Sequence, residues 1–201
     1  MAETRAIHIS GYDRQAEDFY STPDWVTQCL LREVRLRGPV WEPCCGDGGI
    51  ARVIEAAGHR VEATDLTDYG YGRSGVDFYA CTEFPAGCGA LVTNPPYGDG
   101  GPARRATNLS LAMLRFVRHA LMLTERAHGQ LALLVRFQWI AGKRASDILS
   151  ASPLDTVIAL TRRIQWFDHG EATTTGQHHH CWIVFDYQRD RAKPPRIVFS
   201  Q

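Results

Sequence analysis

Lysine is almost missing from this sequence. Lys143 and Lys193 are the only two, so arginine supplies nearly all of the 22 basic side chains. That bias favours planar, bidentate contacts to phosphate or carboxylate, and a GC-rich genome would produce it as well. The six cysteines, at 29, 44, 45, 81, 88 and 181, include no CxxC pair. The first twenty residues, MAETRAIHISGYDRQAEDFY, carry no apolar signal core, so free and mostly buried thiols are expected rather than a disulfide framework. No apolar run approaches the roughly 20 residues of a membrane span. These absences point to a cytoplasmic protein without a membrane partner. His178, His179, His180 and Cys181 do not make a metal site either, because neighbours on a strand point to opposite faces.

Net charge is also missing, with 22 basic against 22 acidic residues, which alone argues against a polyanionic partner. The average hides a division. Residues 1–102 hold eight basic and fifteen acidic side chains, and residues 103–201 hold fourteen and seven. Such a chain can present one basic face without a basic isoelectric point. With 201 residues, no internal repeat and no low-complexity linker, one domain over 1–201 is expected.

Residues 24–36 have the apolar spacing of an amphipathic helix, ended by Gly38-Pro39. PVWEPCCGDGG then runs a short apolar strand into a glycine-rich turn, IARVIEAAGH reads as a helix, and RVEATDL as a second strand ending in an acid. VDFYA is expected to be a short third strand. ALVTNPPY is an apolar run stopped by a double proline. Residues 105–128 carry the longest helical pattern, LALLVRFQWI reads as a strand covered on both faces, and TVIAL and CWIVFDY as two more strands. The sum is an α/β fold, a single Rossmann-like domain. It has a mostly parallel seven-stranded sheet, one late antiparallel strand and helices on both faces.

In such sheets ligands bind at the carboxyl ends of the strands. Gly46, Gly48 and Gly49 let the backbone pass close to a ligand, but Glu42 and Asp47 flank them, and negative charge does not suit a pyrophosphate. It suits a cation such as an ammonium or sulfonium. Asp65, about twenty residues on, is placed to accept from both hydroxyls of a ribose. Asn94-Pro95-Pro96-Tyr97 is the most specific run. Two prolines have no N–H, so their carbonyls stay open as acceptors beside the Asn94 amide oxygen, and Tyr97 offers a flat face for a ring. Two acceptors on one aromatic amine pull its nitrogen toward tetrahedral geometry and expose its lone pair.

The order DFYSTP, EPCCGDGG, Asp65, Asp77-Phe78, NPPY resembles the class I S-adenosylmethionine-dependent methyltransferases of the N6-adenine type. LLVRFQWIAGKR and HHHCWIVFDY are similar to segments of small phage and prophage adenine methyltransferases. The resemblance implies S-adenosylmethionine as cofactor. Thr22 and Pro23 would border its methionine end, Glu42 and the Gly46–Gly48 turn would hold its amino acid portion, and Pro43 and Cys44 would also line the cofactor. Asp65 would take the ribose, Asp77 the adenine amino group, and Phe78 would pack on that adenine. Asn94 and the Pro95 carbonyl, followed by Pro96, would bind the target amine, with Tyr97 stacked on the target base. The doubled Cys44-Cys45 departs from the family pattern. NPPY is shared with enzymes that methylate RNA or protein glutamine, so these remain alternative substrates to DNA adenine, and a non-catalytic subunit is a third reading.

The chemistry implied is direct in-line methyl transfer, driven mainly by positioning, with no residue required as a strong base. An adenine in duplex DNA would have to leave the stack first. Trp166 or Phe167 would clamp it opposite Tyr97, unless RIQWF is an amphipathic strand with Ile164 and Trp166 in the core. Arg104, Arg105, Lys143, Arg144, Arg162 and Arg163 are candidate phosphate contacts. After an N-terminal arm over 1–20, little chain is left for reading sequence beyond loops 98–106 and 168–179. Recognition is therefore expected to be short or loose, or to depend on a homodimer.

Overall fold

The computed structural model describes residues 21–96, 109–166, 176 and 178–200, and of Leu109 and Ser110 only the backbone. Apolar runs with no polar interruption become the central strands, because helices cover both of their faces. These are β1 (Val40–Glu42), β3 (Ala90–Thr93), β4 (Gln130–Arg136) and β6 (His180–Asp186), all buried apart from Arg136. With β2 (Val61–Ala63), β5 (Leu154–Leu160) and β7 (Arg196–Ser200), the described residues form one seven-stranded sheet ordered β2-β1-β3-β4-β6-β5-β7. β6 runs antiparallel to both β4 and β5, and the other pairings are parallel.

Strand alternation sorts the core into two layers. Val40, Val92, Leu134, Ile158 and Trp182 pack with α1 (Asp24–Glu33) and α2 (Gly49–Ala56). Trp41, Leu91, Leu133, Val157 and Ile183 pack with α3 (Leu109–Arg126) and α5 (Lys143–Ala151). The two largest buried side chains are also hydrogen-bonded, as a buried indole N–H must be to avoid a desolvation cost. Trp182 Nε1 donates to the Val26 carbonyl at 2.8 Å, and Trp41 Nε1 to the Thr64 hydroxyl at 3.0 Å. Among the described residues no helix is long and apolar enough to cross a membrane.

Seven strands and one late antiparallel strand are present, but two strands differ from the sequence reading. VDFYA is not a strand: Phe78–Ala80 is a 3-10 turn, because the Asp77 carboxylate accepts from the Tyr79 N–H and closes the chain on itself. The seventh strand is β7 instead, at the edge beside β5, with Ile197 67% and Phe199 74% exposed. LALLVRFQWI is likewise split. β4 ends at Arg136, and Phe137–Ile140 forms a helical turn, α4, that leads through Gly142 into α5. The first helix stops at Glu33, although Val34 and Leu36 stay buried.

Candidate functional site

The parallel strands β1 to β5 end on one side of the sheet, and antiparallel β6 begins there. The glycine-rich turn after β1 is held open by its own backbone. Gly46 and Gly48 sit at φ 53° and 86°, a left-handed region that costs other residues free energy. A Cβ on Gly48 would lie 2.5 Å from the Tyr71 ring, and one on Gly49 2.8 Å from the Thr22 carbonyl. Tyr71 therefore buttresses the turn from outside, its hydroxyl on Glu55 and the Arg52 guanidinium over its ring. The segment before α1 crosses the start of α2. Ser21 donates to Asp47, whose carboxylate also accepts from the Gly49 N–H.

Three groups meet around this turn. Glu42 is 1% exposed, and its Oε2 has no hydrogen-bond partner. Burial pushes its carboxyl well above the usual range; the Ala51 backbone offsets part of this, and Asp65 and Asp47 add to it. Asp65 joins the turn to β2, accepting from the Gly46 N–H on one oxygen and the Thr67 N–H on the other, at 2.9 and 3.0 Å. Each of its oxygens keeps a second lone pair. Asn94, directly after β3, donates from Nδ2 to the buried Thr22 hydroxyl at 3.3 Å, and its buried Oδ1 has no partner. In this arrangement the amide donor is used and the acceptor is left over.

The other sequence-derived residues divide by position. Pro43 is buried behind the turn, Pro23 caps α1, Pro95 is buried and Pro96 exposed. Cys44 and Cys45 are free thiols held protonated by burial, Cys45 up to about 12, so neither serves as a nucleophile at neutral pH. Asp77 is exposed and caps the 3-10 turn. Phe78 is 5% exposed, stacked on Phe116 at 4.5 Å, and lies in the layer with α3. Its ring is committed to the core rather than offered as an open face.

Lys143 and Arg144 are exposed at the start of α5, and Arg162 and Arg163 follow β5 at the same end of the sheet. Arg162 lies over the Trp25 ring, and Arg163 meets His179 at 3.3 Å. Ile164 is fully buried, whereas Trp166 is partly exposed at the edge of the α1 layer. Tyr97, Arg104, Arg105 and Phe167 lie outside the described residues, as do the arm over 1–20, the loop 98–106 and most of 168–179. Two exposed apolar side chains, Leu66 (58%) after Asp65 and Phe137 (38%) after Arg136, stand outside the sequence-derived candidates. The available signal was an apolar side chain immediately after a strand-end polar residue.

No protein-family model matches this sequence, and no curated protein matches it. Solved structures do. A Listeria monocytogenes protein described as a class I S-adenosylmethionine-dependent methyltransferase superposes with a TM-score of 0.55 at 13% identity, over 87% of this chain and 62% of that one. The chain has the methyltransferase fold. The M protein of the type I restriction enzyme EcoKI superposes with a TM-score of 0.54 at 16% identity, over 90% of this chain and 46% of its own. A Lactococcus lactis protein described as a hemolysin matches with 0.55 at 12% identity, over 84% and 89%. The chain thus spans about six-tenths of the Listeria protein and under half of the EcoKI subunit, and the likeness is one of fold.

The acceptor set is the one a cationic nucleoside needs. A buried carboxyl oxygen without a partner precedes the turn, an acid at the next strand end has lone pairs to spare, and exposed Leu66 follows it in the chain. S-adenosylmethionine, with its ammonium, sulfonium, ribose and purine, fits that set.

Proposed function

We propose that this chain transfers the methyl group of S-adenosylmethionine to the exocyclic N6 amine of adenine in DNA. The observation that carries the reading is Asn94. Its Nδ2 meets the Thr22 hydroxyl, its buried Oδ1 has no partner, and it precedes two residues with no N–H to donate. Glu42 and the Gly46–Gly48 turn would hold the amino acid portion of the cofactor, and Asp65 its ribose, as the resemblance implies. Bound there, the cofactor supplies an electrophilic methyl group.

The protein's part is placement. Asn94 Oδ1 and the Pro95 carbonyl each take one N–H of the target amine, which withdraws the lone pair from the ring and directs it at the cofactor side. Holding the two reactants in line supplies most of the acceleration. The proton released on methylation passes to solvent. Lys143, Arg144, Arg162 and Arg163 at the same end of the sheet favour a polyanion over a peptide as the carrier of that amine. Tyr97, and Trp166 or Phe167, would flank the extruded base.

Labelled S-adenosylmethionine offered with duplex DNA from a host lacking adenine methylation, with structured RNA and with a glutamine-bearing peptide tests this directly. The expected result is label in DNA as N6-methyladenine. Label confined to RNA or peptide would overturn the substrate, and no label on any of the three would overturn the activity.

A further inference from the structure

The two edges of the sheet are finished differently. At the β2 edge the chain returns over itself: the Arg73 N–H donates to the Ala63 carbonyl, Arg73 bridges to Thr64, and its guanidinium lies 3.8 Å from Glu62. β7, at the other edge, pairs with β5 alone among the described residues. Ile197 and Phe199 on it are the two most exposed large apolar side chains there, at 67% and 74%. Open edges are ordinarily guarded by proline or by charges directed at the would-be partner. In β7, RIVFS, that guard is missing. Pro194 and Pro195 stop short of the strand, and Arg196 is turned back toward its own chain, donating to the Thr156 hydroxyl and the Glu33 carbonyl at 3.2 and 3.3 Å.

The pairing with β5 fixes which backbone groups of β7 remain over. Ser200 is level with Leu160, and its carbonyl accepts from the Thr161 N–H at 3.1 Å. Alternate residues of a parallel strand turn both N–H and C=O to the same neighbour. Arg196, Val198 and Ser200 therefore bond β5, and Ile197 and Phe199 direct theirs outward. Side chains follow the same alternation. Val198 packs on the α1 layer, whereas Ile197 and Phe199 are level with Val157 and Ala159 on the opposite face.

We infer that β7 is the seat of a two-fold dimer, in which it pairs antiparallel with β7 of a second copy about an axis at Val198. In that register Ile197 lies opposite the partner's Phe199, and Phe199 opposite the partner's Ile197. Every outward N–H and C=O is then used, in about four hydrogen bonds, and the exposed apolar side chains form two cross-strand pairs on one face. An axis at Ile197 would set Phe199 against the partner's Pro195, which has no N–H to donate. An axis at Phe199 would carry Ile197 beyond the partner's Ser200 and lose both apolar pairs. Self-complementarity of this kind is what a two-fold contact demands, and it selects a second copy over an unrelated strand. Like charges do not meet across the axis, since Arg196 lies opposite the partner's Ser200. A strand of five residues makes a contact at or below the roughly 1,000 Å² of a specific interface. The dimer is therefore weak and forms with rising concentration.

Sedimentation equilibrium of the full chain over a wide range of concentration tests this. The unaltered protein is expected to pass from monomer toward dimer. Ile197→Lys/Phe199→Lys sets lysines against each other and should raise the dissociation constant about tenfold, and Ile197→Glu/Phe199→Glu should do the same. An equimolar mixture of these two variants opposes lysine to glutamate at both pairs and should restore association, which also shows that each variant is folded. Melting temperatures at dilution should be unchanged. A monomer at every concentration, a dimer indifferent to the substitutions, or a mixture that associates no better than its components would overturn the inference. A monomer whose melting temperature falls with the substitutions would place a segment of the same chain on the edge and overturn it equally. Methyl transfer does not enter the test, so its outcome is independent of the functional reading above.

Discussion

At the scale of single residues, the site consists of groups whose hydrogen-bonding capacity is only partly used. Asn94 shows this most clearly, because Thr22 takes its donor and leaves its acceptor. Thr22→Val keeps the shape and removes the hydroxyl. Losing one orienting bond of about 1–1.5 kcal/mol should lower kcat about tenfold at saturating cofactor. Steady-state kinetics decide it, and an unchanged kcat would detach Thr22 from the amide. Glu42 makes a pH prediction. Its folded pKa is raised, so its contribution to the stability of the cofactor-free protein is fully present below the ordinary carboxyl range and lost as pH rises through the raised value. A cation bound beside it favours the ionised form. Cofactor affinity should therefore rise with pH across the same window and release a proton, seen by calorimetry in buffers of different ionisation heat. Glu42→Gln should abolish the proton release, weaken binding, and raise the melting temperature at neutral pH. Proton-neutral binding by the unaltered protein would refute this role.

Elements decide what can sit at those positions. The turn between β1 and α2 depends on glycine for two independent reasons at Gly48, a φ of 86° and a Tyr71 ring that leaves no room for a Cβ. Gly48→Ala should cost about 1–2 kcal/mol from the backbone alone and weaken cofactor binding further by displacing the ring. Adding Tyr71→Ala should recover the second loss and not the first. Full recovery in the double variant would mean that backbone strain is unimportant here. Local signals carried this part of the molecule. The glycine turn, the acid ending β2 and the double proline after β3 are legible in sequence because each acts through its immediate neighbours. Phe78–Ala80 was misread because VDFYA alternates like a strand, whereas the Asp77 cap that bends it is a side-chain effect. β7 escaped notice because an edge strand lacks the covered faces that make an apolar run conspicuous, and Ile197 and Phe199 remain exposed. The Trp166 and His180 rings meet with centroids 5.3 Å apart although they lie fourteen positions apart in the chain, and no local pattern announces it.

Across the whole molecule, the division of charge noted in the sequence has a spatial counterpart. Glu42, Asp47 and Asp65 surround the turn where a cationic cofactor would lie. Arg136, Lys143, Arg144, Arg162 and Arg163 lie near the ends of β4 and β5 or at the start of α5. Zero net charge is thus compatible with a polyanionic substrate. Affinity for DNA should fall with salt, and replacing Lys143 and Arg144 together with alanine should reduce the slope of log K against log salt by about 2. An unchanged slope would place the phosphates elsewhere. Nucleoside mass spectrometry reads the chemistry at the adenine nitrogen itself. DNA free of N6-methyladenine is incubated with S-adenosylmethionine and either the unaltered protein or Asn94→Ala, after both have been shown to bind the cofactor equally. N6-methyladenine should appear with the unaltered protein alone. Its absence from both reactions, or its presence in equal amount with Asn94→Ala, would contradict the account.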